Sequence, residues 1–263
     1  PKATAAAGIF TRDMMHDDDY STAFFSESER FFHNRMNGVL AQYNGKRDSY
    51  VEFVCDWEGM YSTLSREKFR ILLAGRHYLD TFYYGFNYSM FHYAGQQGAP
   101  IENVVDLQLL TPCVGVRFNA FFDFDIKLGA LLTAQRDRSF GHSWEKPCMG
   151  EFAFRISRWG LSLDERLYVG DNIHPFFYGH ELEDGTPLPY GRELYPAESF
   201  FRTDQKVYSR TALSYRRSFF DDTVSVRAEF AAHHDGTALG TQQMLVVGVK
   251  LLKTVYNSKN HKK

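Results

Sequence analysis

Apolar and polar residues alternate along most of the chain, and a period of two residues is typical of β-strands rather than helices. Between Phe82 and Met90 every second residue is Phe, Tyr or Met, and the residues between them are Tyr, Gly, Asn and Ser. Successive side chains of a strand point to opposite faces of a sheet, so one face of this strand is apolar and aromatic. The segment is long for a soluble strand and approaches the roughly 9–11 residues with which a strand crosses a bilayer.

The same pattern recurs and predicts about twelve strands. They span 2–12, 32–44, 48–61, 66–78, 80–94, 103–118, 121–134, 147–158, 160–170, 205–219, 222–233 and 240–255. The sixth strand changes phase near Pro112, where we expect a β-bulge to absorb the change. In that interpretation Asp106 lies on the polar face.

The connections alternate between short and long. Those after even-numbered strands are tight turns, such as Gly160, whereas the connections 13–31 and 171–204 are much longer. In transmembrane barrels the turns lie in the periplasm and the long loops outside. We therefore expect residues 1–263 to form a single all-β domain, an antiparallel up-and-down transmembrane β-barrel. Segment 171–204 would be a long extracellular loop and 257–263 a periplasmic tail.

Composition narrows the class of protein. The net charge of −2 argues against a nucleic-acid partner, because phosphate binding requires a basic surface. No run approaches the roughly 20 apolar residues of a membrane helix. Three cysteines, Cys55, Cys113 and Cys148, form neither a disulfide framework nor a zinc-binding spacing.

The orientation of the two faces separates a membrane barrel from a soluble barrel or sandwich, and periodicity alone leaves the orientation open. Three features favour the membrane barrel. The apolar face is large and aromatic on nearly every strand, aromatic residues such as Trp57, Trp144 and Trp159 lie near strand ends, and interfacial girdles of membrane barrels are aromatic. About eight strands already enclose the widest interior that side chains can fill. A soluble barrel of twelve strands would therefore have an apolar interior too wide for its side chains to fill.

Four segments resemble small outer-membrane β-barrels of Gram-negative bacteria, in particular uncharacterised outer-membrane proteins of Bacteroidota. They are YYGFNYSMFHYAG, RFNAFFDFDIKLG, RTALSYRRSFFDDTVSV and the closing LGTQQMLVVGVKLLKTVY. The resemblance implies a mature chain in the cell outer membrane, its signal peptide absent from this sequence, with membrane lipid as its first partner. Such proteins end on an aromatic residue, whereas here residues 257–263 follow Tyr256.

The polar face would line the lumen of the barrel. Its candidate residues are Asp123, Asp125, Lys127, Glu151, Arg155, Asp164, Arg166, Arg227 and Glu229. One interpretation is a salt-bridged interior, because charges removed from water must be paired or hydrated. The other is a narrow polar pathway with acidic and basic ladders. Glu165 does not fit the pattern, since it shares the apolar face with Leu163 and Leu167.

Catalytic and metal-binding patterns are weak. The strand number is similar to that of outer-membrane phospholipase A, but no histidine here is followed by a serine two residues later. His142 and Ser143 are adjacent and would point to opposite faces of a strand. The cluster at 233–235 and the acidic run Asp17–Asp19 fit solvated loops better than metal sites. We therefore expect no enzymatic activity, no cofactor and no metal.

Three functions remain as hypotheses. The first is a narrow channel for small polar solutes, and the second is a non-transporting barrel that acts as a subunit or scaffold of a larger outer-membrane complex. The third, a barrel lipid hydrolase, lacks the required His/Ser spacing. The aromatic, proline-rich loop 171–204 would fold over the mouth as a lid, dock other outer-membrane proteins, or pack on the barrel.

Overall fold

The computed structural model describes residues 2–98, 104–138, 143–176, 180–181, 187–188, 194–198, 201 and 205–250. Its strands are β1 (Lys2–Thr11), β2 (Arg35–Asn44), β3 (Tyr50–Gly59), β4 (Lys68–Leu79), β5 (Phe82–Tyr93), β6 (Val105–Asn119), β7 (Asp123–Asp137), β8 (Cys148–Arg158), β9 (Leu161–Gly170), β10 (His180–Glu181), β11 (Pro187–Leu188), β12 (Val207–Phe219), β13 (Val224–His234) and β14 (Leu239–Val249). One helix, α1 (Glu27–Phe32), and two single-turn 3₁₀ helices at Arg12–Met14 and Asp17–Asp19 lie between β1 and β2. None of the helices in the described ranges is both long and apolar enough to cross a membrane.

Twelve strands form one antiparallel sheet in the order β1 to β9 followed by β12, β13 and β14, and β10 pairs separately with β11. Each strand of the large sheet pairs with the strand that follows it in the sheet order. The predicted number of strands and the up-and-down topology are therefore confirmed. Within the part of the chain that the structure describes, β1 and β14 are the outer strands and no ladder joins them. The predicted end of the last strand, 251–255, lies outside the described residues.

The sheet curls around the segment 12–34. Tyr20 donates a hydrogen bond to Glu52 on β3, whereas its neighbour Ser21 bonds to Tyr168 on β9. Strands that are six positions apart in the sheet are thus reached by two consecutive residues. The two walls must therefore face each other across the interior.

The outer face of the sheet is apolar. Outward side chains alternate with buried ones along each strand, as on β3, where Val51 and Phe53 are exposed between buried Tyr50, Glu52 and Val54. The exposed apolar side chains on the strands include Val39, Tyr43, Val51, Phe53, Trp57, Phe82, Tyr84, Phe86, Val114, Phe118, Leu128, Leu132, Phe152, Leu161, Leu163, Leu167, Val169, Val207, Leu213, Phe230, Leu245, Val247 and Val249. This is the reverse of a protein that keeps its apolar residues inside.

The expected bulge at Pro112 is absent. The register of β6 with β5 runs without a shift from Val105 to Val116, and Pro112 pairs directly with Phe86. The alternation therefore continues through Pro112, and Asp106 lies on the outer face with Leu110 and Val114. There Asp106 accepts hydrogen bonds from Arg136 and Arg138 near the loop end of the sheet. The phase change in the sequence thus marks a polar patch on the outer face.

The connection 13–31 does not extend into solvent as an extracellular loop. Its residues Tyr20, Ala23, Phe24 and Phe25 are buried and pack with inward residues of the strands, among them Met36. Ser26 begins α1 as its N-cap, because its hydroxyl accepts a hydrogen bond from the Glu29 amide at 3.0 Å. We call residues 12–34 the plug, since they fill the loop end of the lumen.

The described part of loop 171–204 packs on the plug. The amide of Ser26 donates to the carbonyl of Pro196 at 2.8 Å, and the amide of Glu198 donates to the carbonyl of Thr22 at 3.0 Å. Tyr195 is buried in a second apolar cluster with Phe91 and Val105. The described residues of this loop therefore pack on the plug and on β5 and β6. The tail 257–263 lies outside the described residues.

Candidate functional site: a plugged lumen above a charged vestibule

Glu52 anchors the plug to the first wall of the lumen. Its carboxylate, 1% exposed as a residue, accepts hydrogen bonds from the His16 amide at 2.9 Å and the Tyr20 hydroxyl at 3.1 Å. Gln42 on β2 donates a third bond at 2.5 Å. Burial, with Glu52 adding to it, raises the pKa of Tyr20 well above its usual value, so this hydroxyl stays a donor. A buried carboxylate with three donors is the satisfied state that low dielectric requires.

Tyr168 anchors the plug to the opposite wall. Its hydroxyl lies 3.2 Å from Ser21 Oγ and donates to Glu151 Oε1 at 3.0 Å. Glu151 also pairs with Lys127 Nζ at 3.0 Å, and both side chains are withdrawn from solvent. Arg166 interacts electrostatically with Glu151. The plug is thus connected through one tyrosine to a charged network on β7, β8 and β9.

Asp17 and Asp19 of the acidic run are paired with arginines, which corrects the expectation of a solvated loop for these two residues, whereas Asp18 is exposed. Asp17 lies 3.2 Å from Arg12 and 3.5 Å from Arg30. Asp19 pairs with Arg76 on β4 at 2.8 Å. Burial lowers the pKa of the Arg12 guanidinium, and Asp17 acts in the opposite direction. These carboxylates hold the plug in place.

The nine lumen candidates all lie on the inward-facing side of the sheet. Asp125 accepts a hydrogen bond from Tyr83 at 2.6 Å and lies 3.8 Å from Arg117. Asp123 is exposed at the turn end and accepts from Asn119. Within the described residues, both acids therefore bond to β5 and β6 and form no ion pair with the bases of β8 and β9 that the sequence pattern placed beside them.

Four of the remaining candidates form two further groups. Arg155 lies 3.7 Å from Asp164. Glu229 pairs with Arg227 at 2.8 Å and with Arg210 at 2.5 Å. The structure does not bring the candidates together as one ladder. Lys127 and Glu151 adjoin the plug, whereas the residues that line the space below it are Asp123, Arg155, Asp164, Arg166, Arg227 and Glu229.

That space is a cavity of about 470 Å³ between the plug and the turn end of the sheet, which we call the vestibule. Its wall is formed by β8, β9, β12 and β13 and its roof by plug residues that include Asp18, Glu27 and Arg30. At its lower rim, Gly160 follows Trp159 in a turn where both have positive φ values, of 84° and 56°. A Cβ at Gly160 would lie 2.3 Å from the Arg216 carbonyl oxygen, so glycine is required there.

Sequence reasoning missed the plug residues Tyr20 and Ser21. Their only local signal is the composition of 20–26, YSTAFFS, which is less charged and more aromatic than the residues on either side.

Glu165 lies on the outer face, as its parity indicated, and accepts a hydrogen bond from the Thr211 hydroxyl on β12. Its register is therefore regular.

The described ranges offer few groups for metal binding or other chemistry besides ion pairs. They contain no group of three or more His, Cys, Asp or Glu residues that could hold a metal ion. His233 lies 2.5 Å from the Tyr208 hydroxyl and points into the lumen, whereas His234 is exposed. The three cysteines are free thiols.

In comparisons with known proteins, no family model, no curated protein and no solved structure matches this chain.

Proposed function

We propose that this protein is an outer-membrane β-barrel whose lumen is closed by its own plug, and that it serves as a non-transporting subunit or scaffold of an outer-membrane assembly. The apolar outer face supports the membrane location. Exposed side chains such as Leu128, Leu213 and Leu245 would be costly in water over so wide an area and suit lipid.

Aromatic residues at the turn end support the same location. Phe121 and Trp159 meet edge to face with ring centroids 6.0 Å apart, and the Arg158 guanidinium lies 3.7 Å from the centre of the Phe121 ring. Amphipathic rings and arginines gather where a membrane barrel meets the headgroups. The ten residues of β9 match the roughly 9–11 that span a bilayer.

The observation that carries the non-transporting role is the attachment of the plug to two opposite walls. Tyr20 bonds to Glu52 and Ser21 to Tyr168, and the apolar residues Phe24 and Phe25 pack between the walls. Opening a path would break several buried hydrogen bonds, each costing about 1–3 kcal/mol if left unsatisfied.

Planar-bilayer recording tests the closed lumen. We expect no conductance steps from the wild-type protein, and steps from a variant in which residues 16–25 are replaced by Gly and Ser. A matched control replaces loop residues 62–65, which lie outside the plug, in the same way and should stay silent. Steps from the wild type would reject the non-transporting role.

Fractionation of intact cells tests the location separately, since recovery in the soluble periplasmic fraction would reject the membrane proposal.

A gated narrow channel is the second candidate, and the vestibule is the observation that favours it. Inward charges such as Asp123, Arg155 and Arg227 reach the turn end, so a polar path already extends from that end to the base of the plug. If the plug moves, this path would continue to the loops. Conductance that appears in the wild type only above a threshold voltage would favour this candidate over the scaffold.

A further inference from the structure

Two pairs of arginines face each other across neighbouring strands in the vestibule wall. Arg166 on β9 is directly opposite Arg210 on β12, and Arg216 on β12 is directly opposite Arg227 on β13. Like charges at directly opposed positions of a sheet destabilise it. All four residues line the same cavity. An arrangement of this kind is costly unless negative charge lies beside each pair.

The carboxylates of the wall do not match these cations one to one. Glu229 is shared by Arg210 and Arg227. Arg166 shares Glu151 with Lys127. Arg216, which is exposed to the cavity, has no ion pair within the described residues. Asp18 and Glu27 of the plug act on Arg227 from above and offset part of the remaining charge.

Arg210 provides an independent indication of a ligand. The residue is 4% exposed, and its Nε–H is buried without a hydrogen-bond partner in the part of the chain that the structure describes. One side of its guanidinium is occupied by Glu229, which leaves the buried Nε–H without an acceptor among the described residues. The Nε of Arg30 in the roof makes no hydrogen bond in the described residues either, but it is paired with Asp17 Oδ2 at 3.5 Å. Buried donors of charged groups are normally satisfied.

We propose that the vestibule binds a phosphate-class oxyanion against this wall, where Arg210 and Arg227 meet at Glu229 and Arg216 lies opposite Arg227. The planar guanidinium donates two parallel hydrogen bonds to phosphate oxygens, and one tetrahedral anion has enough acceptors for several arginines. A cavity of about 470 Å³ also has room for a small organic group attached to that phosphate. The proposal requires only the fold, so it stands or fails independently of membrane location and of the closed lumen.

Titration calorimetry on the purified, folded protein tests the site, with inorganic phosphate as the probe and ionic strength held constant with chloride. We expect saturable binding, weakened about tenfold or more by Arg216→Gln and by Arg210→Met, because each removes charge-assisted donors. Arg35→Gln is the matched control, since Arg35 is an exposed arginine at the opposite end of the sheet. It should leave binding unchanged.

Two results would count against a phosphate site in the vestibule. Absence of saturable binding in the millimolar range, or equal weakening by Arg35→Gln, would overturn the proposal. Because Arg210→Met also removes a partner of Glu229 and could unfold the protein, Arg216→Gln alone decides if that variant fails to fold. A second titration with a short-chain phosphatidic acid, below its micelle concentration, distinguishes the source. Tighter binding of this lipid than of inorganic phosphate would assign the site to a lipid headgroup, and the reverse order to a soluble phosphate.

Discussion

The Tyr20 hydroxyl donates a 3.1 Å hydrogen bond to Glu52 Oε1, which joins the plug to a wall strand 32 residues further along the chain. The same carboxylate accepts from the His16 amide and from Gln42. One buried side chain thus fixes the entrance of the plug. Its loss would leave three donors without an acceptor.

Glu52→Ala is therefore expected to lower the free energy of unfolding by about 3 kcal/mol, since buried donors left unsatisfied cost about 1–3 kcal/mol each and partly rehydrate. Urea unfolding of the protein in lipid vesicles measures the change. Asp13→Ala is the control, because Asp13 lies in the same plug but is exposed. An equal loss in both variants would mean that Glu52 does not anchor the plug.

Leu128→Arg tests whether the outer face of the sheet contacts lipid or water. Leu128 is 57% exposed near the middle of β7. In a bilayer, arginine at a lipid-facing midplane position costs about 2–4 kcal/mol, whereas an exposed site in water tolerates substitution within about 0.5 kcal/mol. Folding yield into vesicles should fall accordingly. Leu64→Arg, in a loop and 93% exposed, should fold like the wild type, and a normal yield for Leu128→Arg would place the outer face in water.

The pair of Lys127 and Glu151 lends itself to a double-mutant cycle. Removing one partner of a buried ion pair costs about 3–5 kcal/mol, because the other charge stays buried. Lys127→Met should therefore be strongly destabilising, and adding Glu151→Gln should recover part of the loss. The free energies of unfolding of the four proteins give the coupling energy. Additive losses would show that the pair is not coupled.

Glu165 interrupts the apolar outer face, where only Thr211 bonds to it among the contacts described. Replacing it with Leu removes a carboxylate from the face that the proposed function places against lipid. We expect Glu165→Leu to increase stability in vesicles by about 1 kcal/mol, since acidic residues there cost less than basic ones. Glu67→Leu, in the loop before β4, is the comparison and should show no gain. A loss of stability on Glu165→Leu would instead mean that the bond with Thr211 outweighs the cost of the carboxylate on the outer face.

The β13–β14 loop gives a pH-dependent signal. Asp235 Oδ1 accepts hydrogen bonds from the amides of Thr237 and Ala238 at 2.9 and 2.7 Å, which hold the pKa of its carboxyl below the usual value. A depressed pKa means that the contribution to stability is complete above about pH 3.9, the unperturbed value, and is lost as the pH falls through the folded pKa. The amide resonances of Thr237 and Ala238 should titrate below that pH. Asp235→Asn should abolish the titration, and a midpoint at or above the unperturbed value would contradict the turn geometry.

The sequence by itself determined the strands and their faces. Period-two alternation is a local property, and it persists on strands of ten to fifteen residues, so the count, the approximate ends and the inward side of residues such as Lys127 and Glu229 follow from neighbours along the chain. The parity of Glu165 was correct for the same reason. At Pro112 we expected a bulge that would shift the alternation. The register is uninterrupted there, so alternation without a bulge predicts the faces of β6 correctly.

Only the tertiary structure decided what fills the barrel and which charges meet. The plug has no periodicity, and its anchors lie 32 and 147 residues away in the chain, so its inward path depends on how the sheet curls. The arginine pairs likewise depend on register: Arg166 meets Arg210, and Arg216 meets Arg227, because the ladders of β12 with β9 and β13 place them opposite each other. Alternation assigns each side chain to a face, but the partner across the strand is set by long-range hydrogen bonding that no local pattern encodes.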